Sequence, residues 1–200
     1  MWCGHPGCSG CGQAESPHYT MGRGCPHDQV KFIQSTPSSS WYGFPNLDCR
    51  MIYLTRQPAP PLSQSVDKLW IFSGYCPTHR FERVLPSGTV ELVINLRDDI
   101  LSCYDLEDPS RVETIRGPLM AGPREGFAVI DTKQQCEMMG AHFYPGGAAS
   151  ILNMPVEEFQ GRDLSLNDCW GAAACELREA LAIAKKPEAR LAILEHALLR

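Results

Sequence analysis

The sequence predicts an α+β protein in which an antiparallel β-barrel or sandwich is followed by a C-terminal helical segment. Between residues 51 and 147, short stretches of alternating apolar and polar residues recur about every 8–12 residues, separated by Gly and Pro. After Gly146 and Gly147 the apolar residues follow the three- and four-residue intervals of a helix. Residues 1–50 show neither period, so we divide the chain into segments 1–50, 51–147 and 148–200.

Residues 1–50 are rich in Gly, Pro, Ser, Cys and His, and we interpret them as a disordered or mis-annotated N-terminal extension. The composition changes abruptly at Met51, which favours Met51 as the true start of translation. The alternative is a structural zinc site, because zinc binds four soft ligands that often come as two close pairs. The residues of that alternative site are Cys8, Cys11, Cys25 and His27.

The β segment has its strongest strand pattern at 89–96, where apolar residues at every second position form one face. Glu91 and Asn95 fall on the opposite face of this strand. Gly and Pro before the strand and Asp98-Asp99 after it predict turns at both ends. The other predicted strands are 66–76, 81–85, 100–104, 112–115, 119–121, 126–131 and 136–143.

The segment 148–200 predicts helices with recognisable boundaries. A one-turn helix is expected at 148–152, and Pro155 fits the first position of a second short helix. Ser165 or Asn167 begins a longer predicted helix that runs through Ala184, and Pro187 begins the last. Apolar residues of these two helices recur at helical spacing and form one amphipathic stripe. The stripe consists of Leu177, Leu181, Leu191, Leu194 and Leu198.

Charge and composition argue against several classes of function. The chain has a net charge of −5 and no dense Lys/Arg cluster, so we expect no direct DNA binding, which needs clustered basic residues. No apolar run reaches the ~20 residues of a membrane span, and the N-terminus lacks a signal-peptide pattern. The ten cysteines follow no disulfide framework. The expected compartment is therefore the cytoplasm, with no membrane partner.

Candidate ligand-binding residues lie on the strand 89–96 and on a neighbouring strand. Glu91 and Asn95 are four residues apart on one strand face, about 13 Å along the strand, which suits contact with one extended ligand. That separation is too large for paired-carboxylate catalysis. Trp70 is the third candidate, although a tryptophan in a strand pattern also suits the core.

No catalytic or cofactor motif is present, and we expect neither enzyme activity nor a cofactor. A metal-dependent site of the cupin type would need two or three histidines and a carboxylate on neighbouring strands. The histidines after residue 50 are His79, His142 and His196, and they fall in a turn, a strand and a terminal helix. These unrelated settings predict no metal site in this part of the chain.

Two stretches, 85–96 and 140–148, together with Trp170-Gly171 and Arg190-Leu191, form an ordered set of residues. The set resembles the N-terminal sensor domain of one branch of AraC-type transcriptional regulators, whose ligand is unknown. The resemblance covers about residues 52–200 and leaves out 1–50.

This resemblance implies a cupin-like barrel, a helical linker that contributes to dimerisation, and a DNA-binding domain that should follow Arg200. Because that domain is missing from the sequence, the resemblance implies a truncated regulator that senses a small-molecule effector without reading DNA. Its implied protein partner is a second copy of the chain or a full-length relative, and the leucine stripe described above is the implied dimerisation surface. The alternative function is a small metal-dependent cupin-type enzyme.

Overall fold

The computed structural model describes residues 28–33, 51–105, 108, 110–152 and 154–200. Its strands are β1 (Asp28–Ile33), β2 (Met51–Arg56), β3 (Val66–Ser73), β4 (Phe81–Val84), β5 (Glu91–Asn95), β6 (Ile100–Tyr104), β7 (Val112–Arg116), β8 (Leu119–Ala121), β9 (Ala128–Asp131), β10 (Glu137–Phe143) and β11 (Asp163–Ser165). Its α-helices are α1 (Ala148–Leu152), α2 (Leu166–Trp170), α3 (Ala172–Ile183) and α4 (Pro187–Leu198). Short 3-10 helices lie at Leu62–Gln64, Thr132–Gln135 and Val156–Phe159.

The larger sheet has seven strands in the order β1-β2-β3-β10-β5-β8-β11. All its pairings are antiparallel, and its centre is β10, which pairs with both β3 and β5. Gly140 marks this centre, because it lies opposite Trp70 on one side and Val93 on the other. Strands far apart in sequence are therefore neighbours at the middle of the sheet.

The smaller sheet has four strands in the order β4-β9-β6-β7, again with antiparallel pairing. Its apolar residues Leu101 and Ile115 pack against Trp70 and Leu119 of the larger sheet. The two sheets therefore face each other, and the described chain is an α+β fold with C-terminal helices.

Both faces of the larger sheet are covered, as the alternation of its residues shows. In β3, Leu69 and Ile71 belong to the main core, whereas Trp70 and Phe72 belong to the second core between the sheets. The same division separates Leu92 and Ile94 from Val93 in β5. Since successive side chains of a strand point to opposite faces, the larger sheet divides the protein into two compartments.

The helices cover the outer face of the larger sheet. Leucines of α3 and α4 share the main core with Leu69 and Leu92. The single long helix that the sequence predicts up to Ala184 is divided into α2 and α3 at Gly171. Gly171 has a φ of 56°, in the left-handed region that glycine adopts readily, so the chain changes direction there. Pro187 begins α4, as the sequence predicts.

The predicted dimerisation stripe has a different place in the structure. Its five leucines are each at most 6% exposed and belong to the core of this chain. Burying apolar side chains against the chain's own sheet removes them from water as effectively as a partner would. Their helical spacing therefore reflects packing of the helices on the sheet. The members of this set are Leu177, Leu181, Leu191, Leu194 and Leu198.

Most predicted strands are confirmed with small shifts of their ends, and those at 100–104 and 119–121 are confirmed with the same bounds. Three described strands, β1, β2 and β11, are additions to the predicted set. Strand β1 lies within 1–50 and pairs with β2, while the rest of 1–50 lies outside the described residues. Every described helix falls short of the length and apolarity needed to cross a bilayer.

Candidate functional site

A cavity of about 440 Å³ lies between the two sheets. The larger sheet contributes side chains of β2, β3, β5, β8, β10 and β11, and the smaller sheet contributes side chains of β4, β6 and β9. The lining residues that carry aromatic or ionisable chemistry on the larger sheet are Tyr53, Lys68, Trp70, Phe72, Glu91, His142 and Asp163. The volume falls in the range of small-molecule sites, roughly 300–1,000 Å³.

An aromatic wall forms one side of the cavity. The rings of Trp70 and Phe72, two residues apart on β3, stack with their centroids 5.7 Å apart and their planes 12° from parallel. Tyr53 lies directly across from Phe72 on β2. Gly140 makes room for this wall, since a Cβ there would lie 2.7 Å from Trp70 Cζ2. The glycine at the centre of the sheet therefore positions the indole.

Glu91 provides a carboxyl group on the same cavity face. Burial raises its pKa, and the nearby His142, Trp70 and Lys68 oppose that shift without cancelling it. Among the described residues no Lys, Arg or His nitrogen lies within 4.0 Å of this carboxyl. An ionised carboxylate that loses water without gaining a partner is unfavourable. Glu91 is therefore a largely buried carboxyl group that has no ionic partner within 4.0 Å among the described residues.

The Trp70 side chain is 8% exposed, and its indole nitrogen is buried without a hydrogen-bond partner. The indole N–H lies close enough to Glu91 to lower the pKa of that carboxyl, but it does not reach hydrogen-bonding geometry with it. A buried indole N–H usually finds an acceptor. The Trp70 indole N–H and the Glu91 carboxyl thus lie side by side on the cavity face. The indole lacks a hydrogen-bond acceptor, and the carboxyl lacks an ion-pair partner.

A buried ion pair occupies another part of the lining. Arg124 Nη2 lies 2.6 Å from Asp163 Oδ1, and the Asp163 side chain is 3% exposed. The Cys103 thiol donates to the other oxygen of Asp163 at 3.4 Å. Burial, followed by the charge of Asp163, raises the pKa of Cys103 to about 12. This thiol therefore stays protonated at neutral pH and is a poor nucleophile.

The connection between β4 and β5 forms the solvent-exposed edge of the cavity. Leu85 lines the cavity although it is 77% exposed. Thr89 follows in the same connection, and its hydroxyl lies 3.4 Å from Nε2 of His142. Apolar groups at the edge and polar groups behind it are typical of ligand sites.

Asn95 does not line this cavity. Its amide donates to the carbonyls of Ile100 and Gln134, and its oxygen accepts from the backbone N–H groups of Arg97 and Asp98. Three of these groups belong to the chain around the β5–β6 turn, and the fourth, the Gln134 carbonyl, belongs to the 3-10 helix Thr132–Gln135. The structure therefore gives Asn95 a role in holding that turn.

Of the three predicted ligand residues, the structure brings Trp70 and Glu91 together in the cavity. Sequence reasoning missed His142, Tyr53 and the pair Arg124–Asp163 as lining residues. The signal for His142 was present, because it alternates with core residues of β10 and so had to face the opposite compartment.

A second and larger depression lies beside the helices, with a volume of about 1030 Å³. Its lining is dominated by alanine, leucine and isoleucine of α1, α3 and α4, and its charged groups are Glu176 and Arg200. These two exposed side chains face each other at 3.9 Å. No buried polar atom that lacks a partner lines this groove among the described residues. The chemistry of a binding site is therefore concentrated in the smaller cavity.

Within the described ranges, no three His, Cys, Asp or Glu side chains form a group that could hold a metal ion. The predicted zinc ligands Cys8, Cys11, Cys25 and His27 lie outside those ranges. The metal-dependent enzyme thus stays a prediction from sequence.

Comparison with known proteins gives one match. The sequence model of the family described as "Domain of unknown function (DUF6597)" matches residues 54–165. No match was found among the curated proteins or among the solved structures. The matched region begins within β2 and ends with β11, so it leaves out β1 of the larger sheet. It contains every cavity residue named above except Tyr53. It is also more than half of the chain, so the protein belongs to the DUF6597 family.

Proposed function

We propose that this protein is the effector-sensing domain of an AraC-like transcriptional regulator, with a cupin-like barrel that binds a small molecule between its two sheets. The observation that carries the proposal is the cavity of about 440 Å³, which holds an unpaired carboxyl group and an unpartnered indole N–H on an aromatic wall. Buried polar groups without a partner are uncommon in a core that serves only stability. The resemblance of residues 85–96 and 140–148 to such sensor domains supplies the class of function.

The sensing mechanism uses the larger sheet as the connection between the cavity and the helices. Strand β10 carries His142 on the cavity side and Ala141 on the helix side. At the start of the same strand, the Glu137 carboxylate accepts a hydrogen bond from Arg190 of α4. A ligand that binds one arrangement of β10 more tightly than another shifts the population of helix positions by that difference in affinity.

Two further contacts tie the helices to the sheets. Arg178 of α3 lies 3.0 Å from Asp99 in the β5–β6 turn. Glu195 of α4 accepts a hydrogen bond of 2.9 Å from the backbone N–H of Ala59. Because these contacts join the helices to the β2–β3 and β5–β6 connections of the larger sheet, a movement of that sheet on ligand binding displaces the helices as well.

Dimerisation through the helical segment belongs to the same proposal, with a second copy or a full-length relative as partner. The surface that remains for it is the outer side of the helices, since their leucine stripe is buried. Ile183 and Leu199 are the exposed large apolar residues of this region.

The test is a thermal-shift and calorimetric screen of small molecules with the full chain, followed by a pair of matched variants. Val93→Phe fills the cavity, whereas Val112→Phe adds the same group to an exposed position of β7. We expect every hit to lose at least about tenfold in affinity in Val93→Phe, because the ring occupies the ligand's space, and to keep it in Val112→Phe. Circular dichroism checks that both variants fold. Unchanged affinity in folded Val93→Phe would place the ligand elsewhere.

A further inference from the structure

The unused polar groups of the cavity define the chemistry of its ligand more narrowly. The ionisable groups that face Glu91 are Tyr53, Lys68 and His142. The charges of Lys68 and His142 act on Glu91, but neither nitrogen forms an ion pair with it within 4.0 Å, and Lys68 Nζ instead lies 3.9 Å from the exposed Asp67. Arg124 is neutralised by Asp163 at 2.6 Å. The cavity therefore keeps one carboxylate for which the described residues supply no ion-pair partner.

The surroundings of that carboxylate favour an organic cation. Trp70 and Phe72 form a stacked pair beside it, with Tyr53 across from Phe72. Aromatic rings attract cations through their quadrupole, and the attraction grows when water is excluded. A metal ion would need several oxygen, nitrogen or sulfur ligands, and no such group exists among the described residues.

The Trp70 indole N–H adds a second requirement. It is a buried donor without an acceptor, and it lies beside the Glu91 carboxyl. A ligand that satisfies both groups places a positive charge beside the Glu91 carboxylate. It also carries, a short distance away, an oxygen that accepts a hydrogen bond from the Trp70 indole N–H. We propose that the ligand is a small organic ammonium ion that carries a hydrogen-bond-accepting oxygen, as amino alcohols do; this assignment rests on the proposed effector site.

Three probes of nearly equal shape separate charge from size. Choline carries the ammonium ion and the oxygen, dimethylbutanol replaces the ammonium ion by neutral carbon, and propyltrimethylammonium lacks the oxygen. We expect choline to bind most tightly and dimethylbutanol to bind at least about tenfold more weakly, since it forms neither the ion pair nor the cation–π contact. The panel also contains primary amino alcohols, each paired with a neutral and a carboxylate analogue of the same length.

The protein variants test the same assignment from the other side. Glu91→Gln keeps the size of the side chain and removes its charge, so the affinity for the ammonium probes should fall about tenfold or more. Glu179→Gln makes the same change at an exposed position of α3 and should leave the affinity unchanged. In NMR spectra, the indole N–H resonance of Trp70 is assigned as the one that disappears in Trp70→Phe. We expect this resonance to shift when choline is added to the unaltered chain.

The outcomes distinguish this inference from the proposed function. If neutral or carboxylate compounds bind in the cavity and no ammonium compound does, the ammonium assignment is overturned while the effector site stands. Binding of ammonium probes with equal affinity in Glu91→Gln overturns the assignment as well. If Val93→Phe and Val112→Phe show that no compound of any class enters the cavity, both proposals fail.

Discussion

Gly140 determines how closely the centre of the larger sheet packs. A Cβ at this position would lie 1.9 Å from the Leu92 carbonyl oxygen and 2.7 Å from Trp70 Cζ2. The first neighbour is backbone and cannot rotate away. The residue that the resemblance marks at the start of 140–148 is therefore required by geometry, independently of any ligand.

We expect Gly140→Ala to lower the free energy of unfolding by about 1–3 kcal/mol, because an added methyl group in a filled core forces the backbone apart. Gly126→Ala is the matched control, since a Cβ there meets nothing within 4 Å. Urea unfolding followed by circular dichroism measures both. Equal stability of the two variants would show that the strands around Trp70 separate easily.

Glu91 predicts a pH dependence with a definite sign. Burial raises its pKa in the folded state above the value in the unfolded chain, so the native state binds more protons between the two values. The contribution of Glu91 to stability is then present below the unfolded pKa and is lost as pH rises through the folded pKa. The ionised form is the unfavourable one in the empty protein.

Glu91→Gln should therefore gain stability relative to the unaltered chain as pH rises from about 4 to about 7. Unfolding by urea at both pH values gives this difference directly. Glu179→Gln, with an exposed carboxyl, should show no such trend. A difference that shrinks with rising pH would mean that Glu91 has a stabilising partner.

At the level of single residues, the sequence predicted the faces of a strand and missed the contacts. Alternation in 89–96 placed Glu91 opposite the core face, and the structure agrees. The same alternation grouped Asn95 with Glu91, yet Asn95 lies at the strand end and binds the following turn. Hydrogen bonds to a turn depend on how the chain folds back, which the alternation of one strand does not contain.

Among the elements, α4 is the best anchored to the sheets. Arg190 donates to the carbonyls of Leu181 at 3.1 Å and Ala184 at 2.9 Å, and it also forms an ion pair with Glu137. The guanidinium of Arg190, a residue of α4, thus contacts both the C-terminal end of α3 and the first residue of β10. A planar group with five donors suits such a junction better than an ammonium group.

Arg190→Met should lower the free energy of unfolding by about 1–3 kcal/mol, since hydrogen bonds to charged groups are the stronger kind and Glu137 loses its partner. Hydrogen exchange of the backbone amides in α3 and α4 should also become faster. Arg200→Met is the control, because the Arg200–Glu176 pair is exposed at 3.9 Å and contributes about 0–1 kcal/mol. Protection that stays unchanged in Arg190→Met would mean that apolar packing alone holds the helices.

Element boundaries were predicted where a residue enforces them locally. Pro187 begins α4 because its fixed φ suits the first helical position. Gly171 was not recognised as a break, since a glycine inside a helical pattern is often tolerated and the sequence alone does not reveal its positive φ. Strand β11 has three residues and depends on pairing with β8, so its own sequence contains almost no period.

For the whole molecule, the position of the leucine stripe decides between internal packing and assembly. We expect Leu194→Ala to lower the free energy of unfolding by about 2–5 kcal/mol, because the side chain is 0% exposed and its removal leaves a cavity. Ile183→Ala, at a residue 77% exposed, should leave stability nearly unchanged. Urea unfolding measures both variants.

Sedimentation of the same two variants tests the surface proposed for dimerisation. If the helices associate through their outer side, Ile183→Ala weakens the dimer without affecting unfolding of the monomer. Leu194→Ala should show the reverse pattern. A weaker dimer with unchanged monomer stability in Leu194→Ala would restore the interpretation of the stripe as an interface.

The sequence predicted the order of sheets and helices because each segment carries its own period. It could not predict which strands meet at the cavity, since β3, β10 and β5 are neighbours only through long-range pairing. The meeting of Arg124 with Asp163 has the same origin. The composition of the cavity was therefore hidden, although two of its residues, Trp70 and Glu91, were identified.

The two cores described above are separated by a single layer of backbone. Met138 faces the sheet-to-sheet core and Met139, the next residue, faces the helices. No further layer of side chains lies between the two cores to absorb a shift of this backbone. A ligand that displaces this backbone from the cavity side therefore also displaces the surface on which the helices pack. Occupancy of the cavity and the position of the helices are thus coupled through one strand layer.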